Sequence, residues 1–219
     1  MDSKAAIHTK YGEKLTVGKI LIPDPKSDQV LLKLHSSGVC HSQLHQMHNP
    51  DSPTPSLLGH EGTGTVIAIG PDVKHLEEGD LAIITWVNRT PVKGRPAYPS
   101  SGATFNEAPL NGATSTWGEN TLVRGGYVVK IPKHSDKYNS SIVGCAVLTG
   151  AGAVLHTAKV RPENSVAIFG VGGVGLSSLI MAKILQAYPI IAVDISDEKL
   201  EFAKKFGATH VVNSLKQDP

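Results

Sequence analysis

Short apolar runs separated by turn residues dominate the front of the chain. Gln29 to Ser36 is rich in aliphatic side chains and predicts a strand. Ile20-Leu21-Ile22 ends at Pro23-Asp24-Pro25, a turn signal. Gly64 to Ile69 and Asp80 to Trp86 predict further strands, bounded by Gly70-Pro71 and Glu78-Gly79. After Cys40, the run Ser42 to Met47 predicts a short helix with Ser42 near its cap. Asn88 to Thr116 is polar, broken by Pro and Gly and without period, and predicts a long surface loop or lobe. Thr121 to Ile131 returns to strand character.

From Ser140 the period becomes helical. Ile142, Val143, Val147, Val154 and Leu155 stand among Ala146, Gly150, Ala151, Gly152 and Ala153, so this helix can approach its neighbours closely. A strand follows (Asn164 to Phe169), then a glycine-rich turn (Gly170 to Gly175) and an apolar helix (Val174 to Ala187). Pro189 to Asp194 predicts a second strand and Glu198 to Phe206 an amphipathic helix, with Ser196 as its N-cap and Gly207 as its C-terminal cap. A third strand begins at His210. Strands alternating with helices predict a parallel sheet. The fold expected is α/β: a mostly β domain over residues 1–160, then a doubly wound domain over residues 161–219. No internal repeat or low-complexity tract interrupts it.

Composition narrows the function classes. Hydrophobic residues make up 40% and charged residues 18% of the 219, which fits a globular protein rather than a disordered one. A formal net charge of +2 gives no reason to expect nucleic acid or an anionic membrane as partner. Met1 to Lys10 carries Asp2, Lys4 and Lys10 and lacks an apolar signal core, and no apolar run is long enough to span a bilayer. Together these features lead to an expectation of a cytoplasmic protein.

Gly170-Val171-Gly172-Gly173-Val174-Gly175 matches G-x-G-x-x-G in its informative setting, after a predicted strand and at the start of a predicted helix. Gly170 allows the tight turn, Gly172 lets the backbone approach a pyrophosphate, and Gly175 lets helix and strand pack together. The helix N-terminus offers free N–H groups to phosphate. Asp194 lies 19 residues beyond Gly175, where a carboxylate can accept from ribose hydroxyls and would repel a 2′-phosphate, so NAD is expected over NADP. A helix-packing glycine cluster without a ligand is the plainer alternative. FAD or a methyl donor, S-adenosylmethionine, would fit the same pattern.

The chain has two cysteines, Cys40 and Cys145. Two buried thiols acting as small apolar side chains would be the ordinary reading. Their neighbourhoods offer more. The segments are Gly38-Val39-Cys40-His41-Ser42-Gln43-Leu44-His45, Gly59-His60-Glu61-Gly62-Thr63-Gly64 and Gly144-Cys145-Ala146-Val147-Leu148-Thr149-Gly150. In this order, and followed by the glycine motif, they resemble the zinc-containing medium-chain dehydrogenase/reductase family, its alcohol dehydrogenases in particular, over essentially the whole chain.

The resemblance implies a GroES-like catalytic domain followed by a Rossmann domain. It implies that Cys40, His60 and Cys145 hold one catalytic zinc, a Cys₂His set that is the family's standard example, with Glu61 close to the metal. Ser42 matches the hydroxyl that takes the alcohol proton, and His45 the outer end of the proton relay. His41 matches a pyrophosphate contact, Thr149 a residue near the nicotinamide, and Lys199 one that reaches the adenosine ribose. Trp86 and Trp117 fall where aromatic side chains line the substrate channel; both could equally be core or interface residues. The implied reaction is reversible oxidation of an alcohol, a small primary one given two large rings, with hydride passed to NAD. Polyol, amino-alcohol or glutathione-linked aldehyde dehydrogenases belong to the same family, and a non-catalytic zinc-binding fragment is the reading from another class.

Three features depart from the family pattern. Many members hold a structural zinc with four cysteines in the lobe matching Asn88 to Thr116; no cysteine stands there, which excludes a Cys₄ site. Gln43 occupies the place where the family usually has Asp, whose carboxylate supports the ligand His. Two strands and the start of a third before Pro219 are fewer than a complete dinucleotide fold needs. The expectation is therefore a chain truncated within the Rossmann domain, the complete protein being a homo-oligomer.

Overall fold

Alternation of buried and exposed positions shapes the first strand: β1 (Asp2–His8) buries Ser3, Ala5 and Ile7 and exposes Asp2 and Lys4. The computed structural model describes residues 1–89 and 101–219. Within them β1 pairs antiparallel with β2 (Thr16–Leu21) and with β4 (Ser56–Leu57). The short strands β7 (Thr104–Phe105) and β8 (Ala108–Pro109) complete a sheet of order β4-β1-β2-β7-β8. A second sheet has the order β10-β6-β5-β3-β9, built from β3 (Gln29–Ser37), β5 (Gly62–Ile69), β6 (Leu81–Ile84), β9 (Asn120–Arg124) and β10 (Val128–Lys130). Ile7, Ile20, Leu57, Leu110 and Leu122 form one core; Val30, Leu32, Val66, Ile84 and Val128 form another.

The β3–β5 ladder determines where the chain leaves the sheet. Its register shifts between Leu31 and Leu32 and again between Leu34 and Ser36, and it ends with Ser37 opposite Gly62. Such irregularities bend a strand. The end of β3 and the start of β5 therefore lie together, and the chain passes from Ser37 into α1 (His41–Met47) beside the residues preceding β5.

Two expectations need correction. The strand expected over Thr121 to Ile131 is divided by a short 3₁₀ turn at Gly125–Tyr127. β9 pairs with β3 while β10 pairs with β6, at opposite edges of one sheet, so the chain must cross between them. Of the expected loop over Asn88 to Thr116, residues 90–100 lie outside the described residues. Residues 101–116 are partly interior: Ala103 and Leu110 are buried, as are Thr114, Ser115 and Thr116, while Asn106, Glu107 and Asn111 are exposed. Their polarity is misleading, because the hydroxyls of Thr114 and Thr116 are spent on buried backbone carbonyls rather than on water.

Backbone contacts divide the described chain into Met1–Cys145 and Ala146–Pro219. The second unit begins with α2 (Ala146–Gly152), which runs on into a wider π turn, Ala153–Thr157. The helix expected from Ser140 is thus broken: Asn139–Gly144 is 3₁₀, and Cys145 leaves helical geometry at φ −135°. Then come β11 (Val166–Phe169), α3 (Gly173–Ile184), β12 (Ile190–Asp194), α4 (Asp197–Phe206) and β13 (His210–Asn213). The strands form a parallel sheet of order β11-β12-β13. Ser196 caps α4 by accepting from the Lys199 N–H, and Gly207 ends it at φ +123°, as expected from the sequence. Gly150 lets α2 lie directly on α3: a Cβ there would meet the Val174 carbonyl oxygen at 2.2 Å. Among the described residues no helix is long and apolar enough to cross a membrane.

Leu179, fully buried on α3 among Ile190, Ala192, Leu200 and Ala203, tests this core. Leu179→Ala is expected to cost about 2–5 kcal/mol. Urea unfolding measures it, and a loss well under ~1 kcal/mol would mean that this unit is not packed as described.

Candidate metal centre

Cys40, His60 and Cys145 arrive from three separate backbone segments of the first unit. Cys40 is the N-cap of α1, in extended conformation (φ −99°, ψ 147°), so the cap lies two residues before the expected Ser42. His60 lies in the approach to β5, where Gly59 turns the chain at φ +95°. The Thr114–Trp117 segment straps this turn from outside. The Trp117 N–H donates to the Leu58 carbonyl at 3.1 Å, the Thr114 hydroxyl to the Gly59 carbonyl at 3.0 Å, and the Thr116 hydroxyl to the Glu61 carbonyl at 3.1 Å. The Ser37 hydroxyl adds a second bond to the Glu61 carbonyl, at 2.9 Å. Cys145 follows Gly144, whose carbonyl accepts from the buried Thr85 hydroxyl at 2.8 Å.

The three ligand atoms lie within 4.8 Å of one another. His60 Nε2 is 3.2 Å from Cys145 Sγ, and the two sulfurs are 3.9 Å apart. Ordinary tetrahedral zinc bond lengths require an S···S edge of about 3.8 Å and an N···S edge of about 3.6 Å. The S···S edge matches and the N···S edge is shorter, and two soft thiol donors with one imidazole are a donor set that suits zinc with a fourth position left over. Glu61, also buried, lies against the same segment: a Cβ on Gly38 would meet its Cδ at 2.5 Å.

Electrostatics agree with a cation at this point. Burial lowers the His60 pKa, which favours the neutral ring that a metal needs. Burial first, then the charge of Glu61 and the second thiol, pushes the Cys145 thiol up to about 12. Without a cation the site holds a neutral thiol; a dication is the group that would make thiolate stable there.

The residues of α1 stand around this centre. Ser42 Oγ is buried and has no hydrogen-bond partner among the described residues. His41 and His45 are exposed, with ring centroids 5.0 Å apart. Gln43 is buried; its Oε1 accepts from the Cys40 N–H at 2.9 Å, and its amide nitrogen lies 2.6 Å from His60 Nδ1. Trp117 donates its indole N–H to the Gly38 carbonyl and helps line an apolar groove of about 730 Å³ with Val17, Val39, Leu44 and Met47. Trp86, just beyond β6, is 45% exposed and takes no part in that groove. Sequence reasoning missed the hydroxyl strap; three consecutive hydroxyl residues before a tryptophan, Thr114-Ser115-Thr116, were the available signal.

In the second unit the glycines divide by role. Gly170 turns at φ +85°, and a Cβ on Gly175 would come within 1.9 Å of the Gly170 carbonyl oxygen. Gly175 is therefore needed for packing. A Cβ on Gly172 would meet nothing within 4 Å, so the protein itself does not require a glycine there. Gly173 and Val174 open α3. The Asp194 carboxylate accepts from the N–H groups of Val171 (2.9 Å), Ile195 (2.8 Å) and Ser196 (3.0 Å), and these bonds, that of Val171 foremost, hold its pKa below the usual carboxylate range. The glycine turn and the acidic strand end are thereby tied together. Lys199 on α4 and Thr149 on α2 are exposed.

A three-donor metal cradle in a β unit, followed by a βαβαβ unit opening on a glycine-rich turn, is the organisation of a metal-dependent dehydrogenase. Comparisons with known proteins agree. Residues 26–133 match the alcohol dehydrogenase GroES-like domain and residues 173–219 the zinc-binding dehydrogenase domain. The S-(hydroxymethyl)glutathione dehydrogenase of Escherichia coli (strain SMS-3-5 / SECEC) is 33% identical over 97% of this chain and 64% of its own length. A crystal structure of an alcohol dehydrogenase zinc-binding domain protein from Burkholderia ambifaria superposes with a TM-score of 0.93 at 32% identity, covering 100% of this chain and 65% of that one. Benzyl alcohol dehydrogenase from Acinetobacter calcoaceticus gives 0.90 at 36% identity, covering 100% and 66%. The chain belongs to the zinc-containing medium-chain dehydrogenase/reductase family, among its alcohol dehydrogenase-like members. It spans 64% of the length of the Escherichia coli relative.

The two pKa shifts carry a pH dependence. His60, lowered from 6.5, contributes stability that is present above about pH 6.5 and lost as pH falls through its depressed value. Cys145, raised from 9.0, contributes stability that is present below pH 9.0 and lost as pH rises toward about 12. The metal-free protein should therefore weaken on both sides of that window. Zinc binding near pH 7 is expected to release about two protons, one per thiol. Calorimetry in buffers of different ionisation heat counts them; no proton release would exclude a thiolate site.

Proposed function

We propose that this chain is the zinc-binding part and the first nucleotide-binding part of an NAD-dependent alcohol dehydrogenase. The observation that carries the reading is the convergence of the Cys40, His60 and Cys145 donor atoms within 4.8 Å of one another, with the two sulfurs 3.9 Å apart. When bound, zinc supplies Lewis acidity that lowers the pKa of an alcohol hydroxyl, and NAD supplies the hydride acceptor. The chain's own residues do the rest. Ser42 Oγ, buried and without a partner among the described residues, would accept the alcohol proton while passing its own on through the cofactor ribose to exposed His45, which hands a proton to solvent. Gly172 leaves the backbone open to a pyrophosphate, and Asp194, already fixed by three backbone bonds, keeps lone pairs for ribose hydroxyls. His41 adds a ring N–H donor for the pyrophosphate, and Lys199 and Thr149 supply further cofactor contacts, as the family resemblance implies. Glu61, buried next to His60, would be a carboxylate close to a metal held by the three donors.

One zinc per chain is proposed, because both cysteines of the sequence are in this site. A small primary alcohol is the substrate proposed, on the places of Trp86 and Trp117 in the sequence; the apolar groove that Trp117 lines contains none of the three donors. Similarity to an S-(hydroxymethyl)glutathione dehydrogenase supports a glutathione-linked substrate as the second reading.

Metal analysis is expected to give one zinc per chain, lost in Cys40→Ala. Two zincs or none would overturn the site. NAD⁺ should bind more tightly than NADP⁺, and Asp194→Ala should narrow the difference; preference for NADP⁺ in the unaltered protein would remove the role given to Asp194. Turnover of benzyl alcohol against S-(hydroxymethyl)glutathione separates the two substrate readings. Stoichiometric zinc and bound NAD⁺ with no turnover of any alcohol would leave the non-catalytic zinc-binding reading.

A further inference from the structure

We propose that Gln43 is a positioning residue that opposes metal loading: its amide holds His60 in the tautomer protonated on Nε2, the ligating atom, so that filling the site releases the N-terminal cap of α1. The proposal rests on the zinc reading above and concerns how that site is loaded.

Donor and acceptor accounting leads to it. The Cys40 backbone N–H can only donate, and its acceptor is Gln43 Oε1 at 2.9 Å. A carboxamide is planar, so turning its oxygen to Cys40 turns its –NH₂ to the other side, where His60 Nδ1 lies at 2.6 Å. The –NH₂ group can only donate. His60 Nδ1 must therefore accept, and a neutral ring then carries its proton on Nε2. That proton faces Cys145 Sγ at 3.2 Å. Turning the amide over would set two donors against each other at Cys40, and Gln43, 1% exposed, has no solvent to satisfy the one left over.

A metal needs the lone pair on Nε2. Its arrival moves the imidazole proton to Nδ1, against a group that cannot accept it. His60 is held on both sides by the strapped Gly59 and Glu61 carbonyls, so the conflict is relieved when the Gln43 amide turns over, which strips the Cys40 N–H of its acceptor. Metal occupancy and the Gln43 half of the α1 capping box therefore exclude each other. α1 carries His41, Ser42 and His45, so loading would loosen the first turn of the element that bears the proposed proton relay. A carboxylate at this position has no such conflict, because one oxygen can accept from Cys40 and the other from Nδ1–H.

The test uses the full chain. Nitrogen-15 NMR of the histidine rings in metal-free protein should show His60 with Nε2 protonated and Nδ1 bare, and Gln43→Glu should move the proton to Nδ1. Finding Nδ1 protonated in the unaltered metal-free chain overturns the proposal, and this measurement requires no variant to fold. On titration with zinc, exchange of the Cys40 amide should speed up in the unaltered chain and stay slow in Gln43→Glu, while chelator competition should show zinc held about 10–100-fold more tightly by Gln43→Glu. Cys40 amide protection that survives loading in the unaltered chain overturns the release of the cap. Failure of zinc to bind either form overturns the site reading and the loading step with it, while the metal-free tautomer stands or falls separately.

Discussion

Beside each of the three metal donors stands a glycine that has no room for a side chain. A Cβ on Gly59 would lie 2.3 Å from the Thr116 hydroxyl oxygen, one on Gly144 2.1 Å from the Ile84 carbonyl oxygen, and one on Gly38 2.5 Å from Glu61 Cδ. Backbone pressed this closely against fixed neighbours has little freedom to wander. The donors are therefore placed by the sheet and its strap rather than by loops of their own. The three donor atoms are thereby held within 4.8 Å of one another by the frame itself.

That arrangement bears on how the candidate donors and the frame around them read in the sequence. Cys40, His60 and Cys145 announce themselves by type, and Gly170 to Gly175 with Asp194 by spacing. The parallel unit was also readable, because strand and helix periods alternate cleanly from Asn164 onward and Ser196 and Gly207 cap α4 at the expected places. Residues 101–116 were not. Hydrophobic patterning takes polar residues to be solvated, whereas Thr114 and Thr116 are buried with their hydroxyls on backbone carbonyls. Nothing local marks that use, since the partners, Gly59 and Glu61, lie 55 residues earlier in the chain. The break at Cys145 was hidden for a related reason: apolar residues continue through it, and only the close approach of Gly144 to Ile84 and Thr85 stops the helix period from running on.

The second unit shows the same division between packing and ligand. Gly175 and Gly150 are required by the contacts they permit, and the structure accounts for both without a cofactor. Gly172 is different, since open space surrounds the position of its absent Cβ. Within one motif, geometry thus separates a glycine kept for the helix from one that packing does not require. Asp194 ties the turn to the strand end: its bonds to Val171 and Ser196 shape the turn, and the same bonds hold its pKa below the usual carboxylate range.

Gln43 is where the two demands meet in the first unit. As the third residue of α1 it serves the cap, and as the neighbour of His60 it governs the ligand ring. A capping carboxamide must present its oxygen to the backbone, which leaves only a donor for the histidine. A metal ligand needs an acceptor behind it. The two requirements are compatible for a carboxylate, which accepts on both sides, and incompatible for an amide, which does not. The cost of the amide falls on the loading of the site and not on the fold of the empty one, because the bonds of Gln43 to Cys40 and His60 are both satisfied without metal. Local helix chemistry and ligand chemistry are thus coupled through one planar group.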